Sequence, residues 1–123
     1  MTNDSVMTIR RMKTYTGGQG YVYQYYFVGK RAALNSVATS EYVFDVTSDR
    51  KTTFSVSVFL MEDATKEWAA SHNRILTDAE QYGAVKMRLF QAFDEIENMM
   101  SDGRQLFVDA EILEQVLTTL GVE

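Results

Sequence analysis

Few side chains in this sequence are of the kinds from which catalytic centres are built. Cysteine is absent, which removes thiolate nucleophiles, thiolate metal sites and disulfides together. His72 is the single histidine, so no histidine-based metal cluster can form, and a general base there would lack a nearby partner in the sequence. Its spacing from Trp68 places it instead on a helix face as a packed or surface residue. The acids Asp94, Glu95, Glu97 and Asp102 lie close in sequence, but on a helix they point in diverging directions and do not converge on one ion. The expectation is a non-enzymatic protein that needs no cofactor and no metal.

The charge and aromatic pattern is more informative. Residues 1–31 carry Arg10, Arg11, Lys13, Lys30 and Arg31 against Asp4 alone, a local charge of +4, while the remaining residues hold seven basic and sixteen acidic side chains, a charge of −9. Within the basic part, residues 21–28 alternate as a strand with aromatic or apolar residues on both faces: Tyr21, Tyr23, Tyr25 and Phe27 on one, Val22, Gln24, Tyr26 and Val28 on the other. If the Val22 side faces the core, the tyrosine row is exposed beside five cations, a stacking-plus-charge surface of the kind used for single-stranded nucleic acid or for a protein partner. If the row faces inward, it is core, and the basic residues complement the acidic remainder of the molecule. A long polyanion would be repelled by that remainder.

A second unusual stripe lies on the sequence's longest amphipathic segment. Gly83, Met87 and Phe90 recur at helical spacing beside the main apolar face. A glycine there costs about 1 kcal/mol relative to alanine unless another backbone packs against it. The last helix or a second copy of the chain would cover this stripe, which makes Gly83, Met87 and Phe90 the candidate homodimer contact.

The elements that must position these residues follow from periodicity. A first hairpin spans about residues 6–31, turning through Thr16-Gly17-Gly18-Gln19-Gly20, where the glycines supply turn conformations and no Lys-Ser or Lys-Thr pair suggests a phosphate loop. A second hairpin spans 41–60; its alternation places Val46 opposite Phe54 and Phe44 opposite Val56, around a loop centred on Asp49-Arg50-Lys51. Residues 32–40 read as a loop. A helix over about 63–73, capped by Asp63, turns Ala64, Trp68, His72 and Ile75 to one side. Thr77-Asp78-Ala79-Glu80 is a capping box. It opens a helix over 78–100 whose stripe runs through Tyr82, Val85, Leu89, Ala92, Phe93, Ile96 and Met100. A short strand at 105–108 precedes a helix over 110–120, capped by Asp109 and closed by Gly121.

These elements specify a single α+β domain over residues 1–123: a four-stranded, mainly antiparallel sheet of two hairpins, followed by helices packed on one face, in the order ββββααβα, with the short strand at an edge. At 123 residues with 46% hydrophobic side chains, the chain can bury a sizeable core. No apolar run approaches the length of a membrane span, and the lack of cysteine fits a reducing compartment, so the expected setting is cytoplasmic with no membrane partner. The expected function is a protein-interaction module with a candidate homodimer contact, and single-stranded nucleic-acid binding through the first hairpin is the alternative.

Overall fold

Valine, tyrosine and phenylalanine alternate through residues 22–60 and build the sheet. The computed structural model describes residues 12–18, 20–33 and 38–123. Strands β1 (Lys13–Thr16), β2 (Val22–Ala32), β3 (Thr39–Thr47) and β4 (Phe54–Met61) pair antiparallel with their sequence neighbours. Strand β5 (Gln105–Val108) adds to β4 in parallel, so the order is β1-β2-β3-β4-β5. The parallel pairing requires a crossover, supplied by α1 (Glu62–His72), α2 (Asp78–Glu95) and the single turn α3 (Met99–Asp102); α4 (Ala110–Leu120) follows β5. Helices cover the face that carries Tyr42, Phe44, Val46, Phe54, Val56, Val58 and Leu60, all buried. The expected α+β order is the observed one. Among the described residues, no helix is long and apolar enough to cross a membrane.

The β3–β4 register places Val46 opposite Phe54 and Phe44 opposite Val56, as alternation requires. The loop still centres on Arg50, held at a φ of 65°, but the strands part beyond Val46 and Phe54. Asp49 replaces the ladder there: its Oδ1 accepts from the backbone N–H groups of Lys51 and Thr52, both at 2.8 Å. Thr77 and Glu80 form the reciprocal capping box, Arg74 adds two 2.9 Å bonds to the Glu80 carboxylate, and this guanidinium first, then the Thr77 backbone N–H, hold Glu80 down at about 2.

Several boundaries differ from the sequence expectation for physical reasons. Helix α1 starts at Glu62 directly from β4 without a side-chain cap, because the Glu62 N–H donates to the carbonyl of Ala38 at 2.8 Å; Asp63 is not the cap. Asn73, at a φ of 59°, turns the chain so that Leu76 is buried and Ile75 is exposed. Helix α2 stops at Glu95 rather than at residue 100. Ile96 is extended, and α3 then rotates the chain so that Met99 enters the core while Met100 stays exposed. Gly103 permits this, since a Cβ at that position would collide with the Met99 sulfur. The first part of the expected hairpin, residues 6–11, and residues 34–37 of the expected loop lie outside the described residues.

A bulge in β2 sets which cation faces which side. Phe27 opposes Phe44, yet Gly29 opposes Val43, so Val28 is the extra residue, and the alternation is reset beyond it. Lys30 then opposes Tyr42 on the helix side, while Arg31 opposes Glu41 on the open side. There the Arg31 guanidinium donates to both Glu41 oxygens at 2.9 and 3.2 Å, and the Ser57 hydroxyl donates at 2.6 Å. Deleting Val28 should therefore leave both pairings intact and change stability by less than about 1 kcal/mol. Arg31→Gln, which strips the forked donor from the buried Glu41 carboxylate, should by contrast cost about 2 kcal/mol. Urea unfolding followed by Trp68 fluorescence checks both, and equal losses from the two changes would contradict the assignment.

Candidate functional site

The register decides the direction of the tyrosine row. Tyr23, Tyr25 and Phe27 share the face of Val46 and Phe44, because Tyr25 opposes Val46 and Phe27 opposes Phe44. Tyr23 and Tyr25 are each 4% exposed, and Phe27 is half-buried against the same core. The exposed alternative for this row is thus corrected: its rings lie beneath α2 and present no faces on which bases could stack. Tyr21, beside the glycine turn, is the exposed member.

Helix α2 meets this row ring on ring. Tyr23 stacks on Phe93 at 4.2 Å, Tyr15 stacks on Phe90 at 4.5 Å, Tyr25 meets Phe90 edge-on at 5.6 Å, and Phe27 lies 4.9 Å from Tyr82. The candidate dimer stripe is therefore engaged within the chain. Phe90 packs on the first hairpin, Met87 packs against the core, and a Cβ on Gly83 would lie 3.4 Å from Leu120 of α4. Only this Leu120 side chain approaches Gly83, at ordinary contact distance, so no close backbone packing of the kind the glycine suggested is found there.

At the rim of this aromatic layer lies a row of lysines. Lys86 stands one helical turn from both Tyr82 and Phe90, and its Nζ lies 5.6 Å from the Tyr82 ring centroid, 5.9 Å from Phe90 and 5.9 Å from Tyr25. Lys13 is the cross-strand partner of Tyr25. Lys30 is the partner of Tyr42 and places its Nζ 5.4 Å over that ring. Tyr42 is 6.4 Å from Tyr82, so the seam runs from Lys13 past Tyr25, Lys86, Tyr82 and Tyr42 to Lys30.

The electrostatics of the seam are one-sided. The ion pairs among the described residues are Arg31–Glu41, Lys66–Glu62, His72–Glu114 and Arg74–Glu80, and none engages Lys13, Lys30 or Lys86. Burial pushes the phenols of Tyr25 and Tyr82 up, so they stay neutral and supply no counter-charge. Burial first, and then the charge of Lys13, hold Lys86 below its ordinary value of 10.5. Ammonium groups over ring faces gain cation–π attraction, and their unused donors suit a carboxylate or phosphate.

Of the residues singled out in the sequence, the structure brings Lys13, Lys30, Tyr25 and Phe27 to this seam. Arg31 belongs to the opposite face, and Arg10 and Arg11 lie outside the described residues. Lys86 and Tyr82 were not identified as site residues. Their signal is the Tyr82, Lys86, Phe90 spacing on one helix face, which carries meaning only once β2 is known to lie beneath it. His72 stacks on Trp68 at 4.1 Å and its Nε2 lies 2.9 Å from a Glu114 oxygen. Asp94 is a clasp: it accepts from the Tyr15 hydroxyl at 2.7 Å and from the Gly18 N–H at 3.3 Å. Among the described residues, no cluster of three metal-ligating side chains is present. Compared with protein-family models, curated proteins and solved structures, the chain matches none.

The clasp yields a direct prediction. The bond to Asp94, with burial and the Asp94 charge behind it, pushes Tyr15 up to about 12 from an ordinary 10.0. A raised phenol stabilises the folded state fully below the unfolded value and loses that contribution as pH rises toward 12. Asp94→Ala should lower the Tyr15 value from about 12, leaving only the upward push of burial, and cost about 1 kcal/mol at neutral pH. Ultraviolet titration of tyrosinate, compared with the Tyr15→Phe variant, checks it. An unchanged high-pH phase in Asp94→Ala would assign that phase to another tyrosine.

Proposed function

We propose that the protein is a non-catalytic interaction module that holds an acidic, partly apolar segment of a partner protein along the Lys13–Lys86–Lys30 seam. The observation that carries this reading is the pair of ammonium groups of Lys30 and Lys86 lying on aromatic surface, with Lys13 beside them and no carboxylate partner for the three among the described residues, in a chain whose net charge is −5. Folding places these cations beside one another and leaves their neutralisation to a second molecule. The exposed edges of Phe27, Tyr82 and Phe90, all partly buried, supply apolar contact beside the charges, a combination suited to acidic and hydrophobic residues in alternation. Gly83 and Met87 take no part, because α4 and the core cover them, and the module works on a heterologous partner. The setting is the cytoplasm, where a chain without cysteine has no bridges to lose.

Single-stranded nucleic acid is the competing occupant, since the same lysines would accept phosphates. Its stacking contacts would need open ring faces, whereas Tyr23 and Tyr25 are turned inward. The acidic segment is therefore the better fit.

Fluorescence anisotropy with a labelled peptide of alternating aspartate and leucine, beside an oligothymidylate of equal charge, tests the choice. Each exposed ion pair contributes about 0.5 kcal/mol. The triple substitution Lys13→Gln, Lys30→Gln and Lys86→Gln should therefore weaken peptide binding roughly tenfold and flatten its salt dependence. Tighter binding of the oligonucleotide would transfer the assignment to nucleic acid, and indifference of the peptide to the triple substitution would overturn the seam as the site.

A further inference from the structure

Lys86 differs from the other described lysines in its surroundings. Its stem packs on α2 beside Tyr82 and Phe90 while β2 presents Tyr25 beneath its amino group. The charged and titratable groups that face it are Lys13 from β1, Tyr25 from β2 and Tyr82 from its own helix; no carboxylate pairs with it among the described residues. Lys66, by contrast, is 71% exposed in its side chain and pairs with Glu62 at 3.4 Å. An amine partly withdrawn from water and beside a second cation is in the environment that activates lysine as a nucleophile.

We propose that Lys86 is a nucleophilic amine that captures small anionic aldehydes as an imine, with Lys13 holding the anionic group. The proposal rests on the unneutralised seam described above. The Nζ lone pair of the neutral amine adds to the aldehyde carbon, and the carbonyl oxygen takes up a proton. The carbinolamine then expels that oxygen as water with the remaining N–H proton, leaving a C=N bond to Nζ. One water is released and no oxidant or reductant is consumed. A planar conjugated aldehyde suits the site best, because the partly buried Tyr82 and Phe90 offer apolar edges against which the imine can lie. The burial that holds Lys86 below the ordinary lysine value enlarges the fraction of neutral amine from which the first step starts.

Pyridoxal 5′-phosphate is the probe, an aldehyde that carries a phosphate. The full chain is treated near neutral pH, the imine is trapped with borohydride, and the modified lysines are ranked by peptide mapping as the probe concentration rises. Lys86 should be the first lysine labelled in the wild-type chain, Lys13→Gln should delay that labelling, and Lys86→Arg should lose it. Labelling that is even among lysines, or led by Lys66 or Lys51, would overturn the capture site even if peptide binding persists. Selective labelling of Lys86 in a chain that ignores the peptide would uphold capture and remove the partner-binding reading instead. The wild-type map reads out by itself, so the conclusion does not depend on any variant folding.

Discussion

The packing of the first hairpin onto α2 through aromatic rings is the constraint on which the rest of the site depends. A strand exposes alternate residues on opposite faces, so once Tyr25 is opposite Val46 and Tyr23 is stacked on Phe93, every side chain up to the bulge is assigned. In an unbroken strand, Lys30 would then share the outer face of Tyr26, and Arg31 would point toward the helix. The extra residue at Val28 reverses both assignments. The guanidinium consequently meets the buried Glu41 carboxylate, where its forked donors fit two oxygens. The simpler ammonium of Lys30 meets the face of Tyr42, where a compact charge suffices. One inserted residue thus separates a neutralised cation from an available one.

The same layer explains why the seam remains charged. Its phenols are desolvated and keep their protons, and Asp94, the α2 acid that meets the hairpin, is engaged by Tyr15 and Gly18. Asp94 lies in the last turn of α2, where the helix dipole disfavours a negative charge. Bonds from Tyr15 and Gly18 offset that cost, and Gly17 leaves room for the carboxylate, since a Cβ would come within 2.5 Å of its oxygen. The glycines of the turn therefore serve the docking of the hairpin as much as its reversal of direction. Lys86 is half-buried against packed rings, which limits at that position the ordering cost that flexible surface lysines carry.

How much of this was legible depended on the range of the determining interaction. The β3–β4 register, the Thr77–Glu80 box, the Asp109 cap and the Gly121 terminus are local patterns, and each was readable from a few consecutive residues. The face of β2 was not, because residues 21–28 are apolar on both sides and only the partner strand breaks the tie. The end of α2 was obscured for a similar reason. Met99 and Met100 are chemically equivalent, and the choice between them is made by the core vacancy beside Gly103 rather than by helix periodicity. Lys86 was hidden because, on a helix wheel, it is an ordinary polar residue between two aromatics. The Tyr25 ring that changes its meaning comes from a strand some sixty residues earlier.

The charge split also acquires a different meaning in three dimensions. As a tally it opposes a basic hairpin to an acidic remainder, but Arg31 is neutralised on the open face and Lys86 comes from the acidic part of the chain. What persists is a short line of cations on one edge of the sheet–helix layer. Ionic screening confines its influence to about 8–10 Å at physiological salt, while the surplus of acids elsewhere repels an anion that extends beyond it. Such a field selects for length as well as sign: a few carboxylates in a segment with apolar neighbours can be held, whereas a long polyanion meets more repulsion than attraction. The inward turn of the tyrosines removes the stacking that could have compensated a nucleic acid for that repulsion, and this couples the specificity of the seam to the same ring packing that holds the hairpin in place.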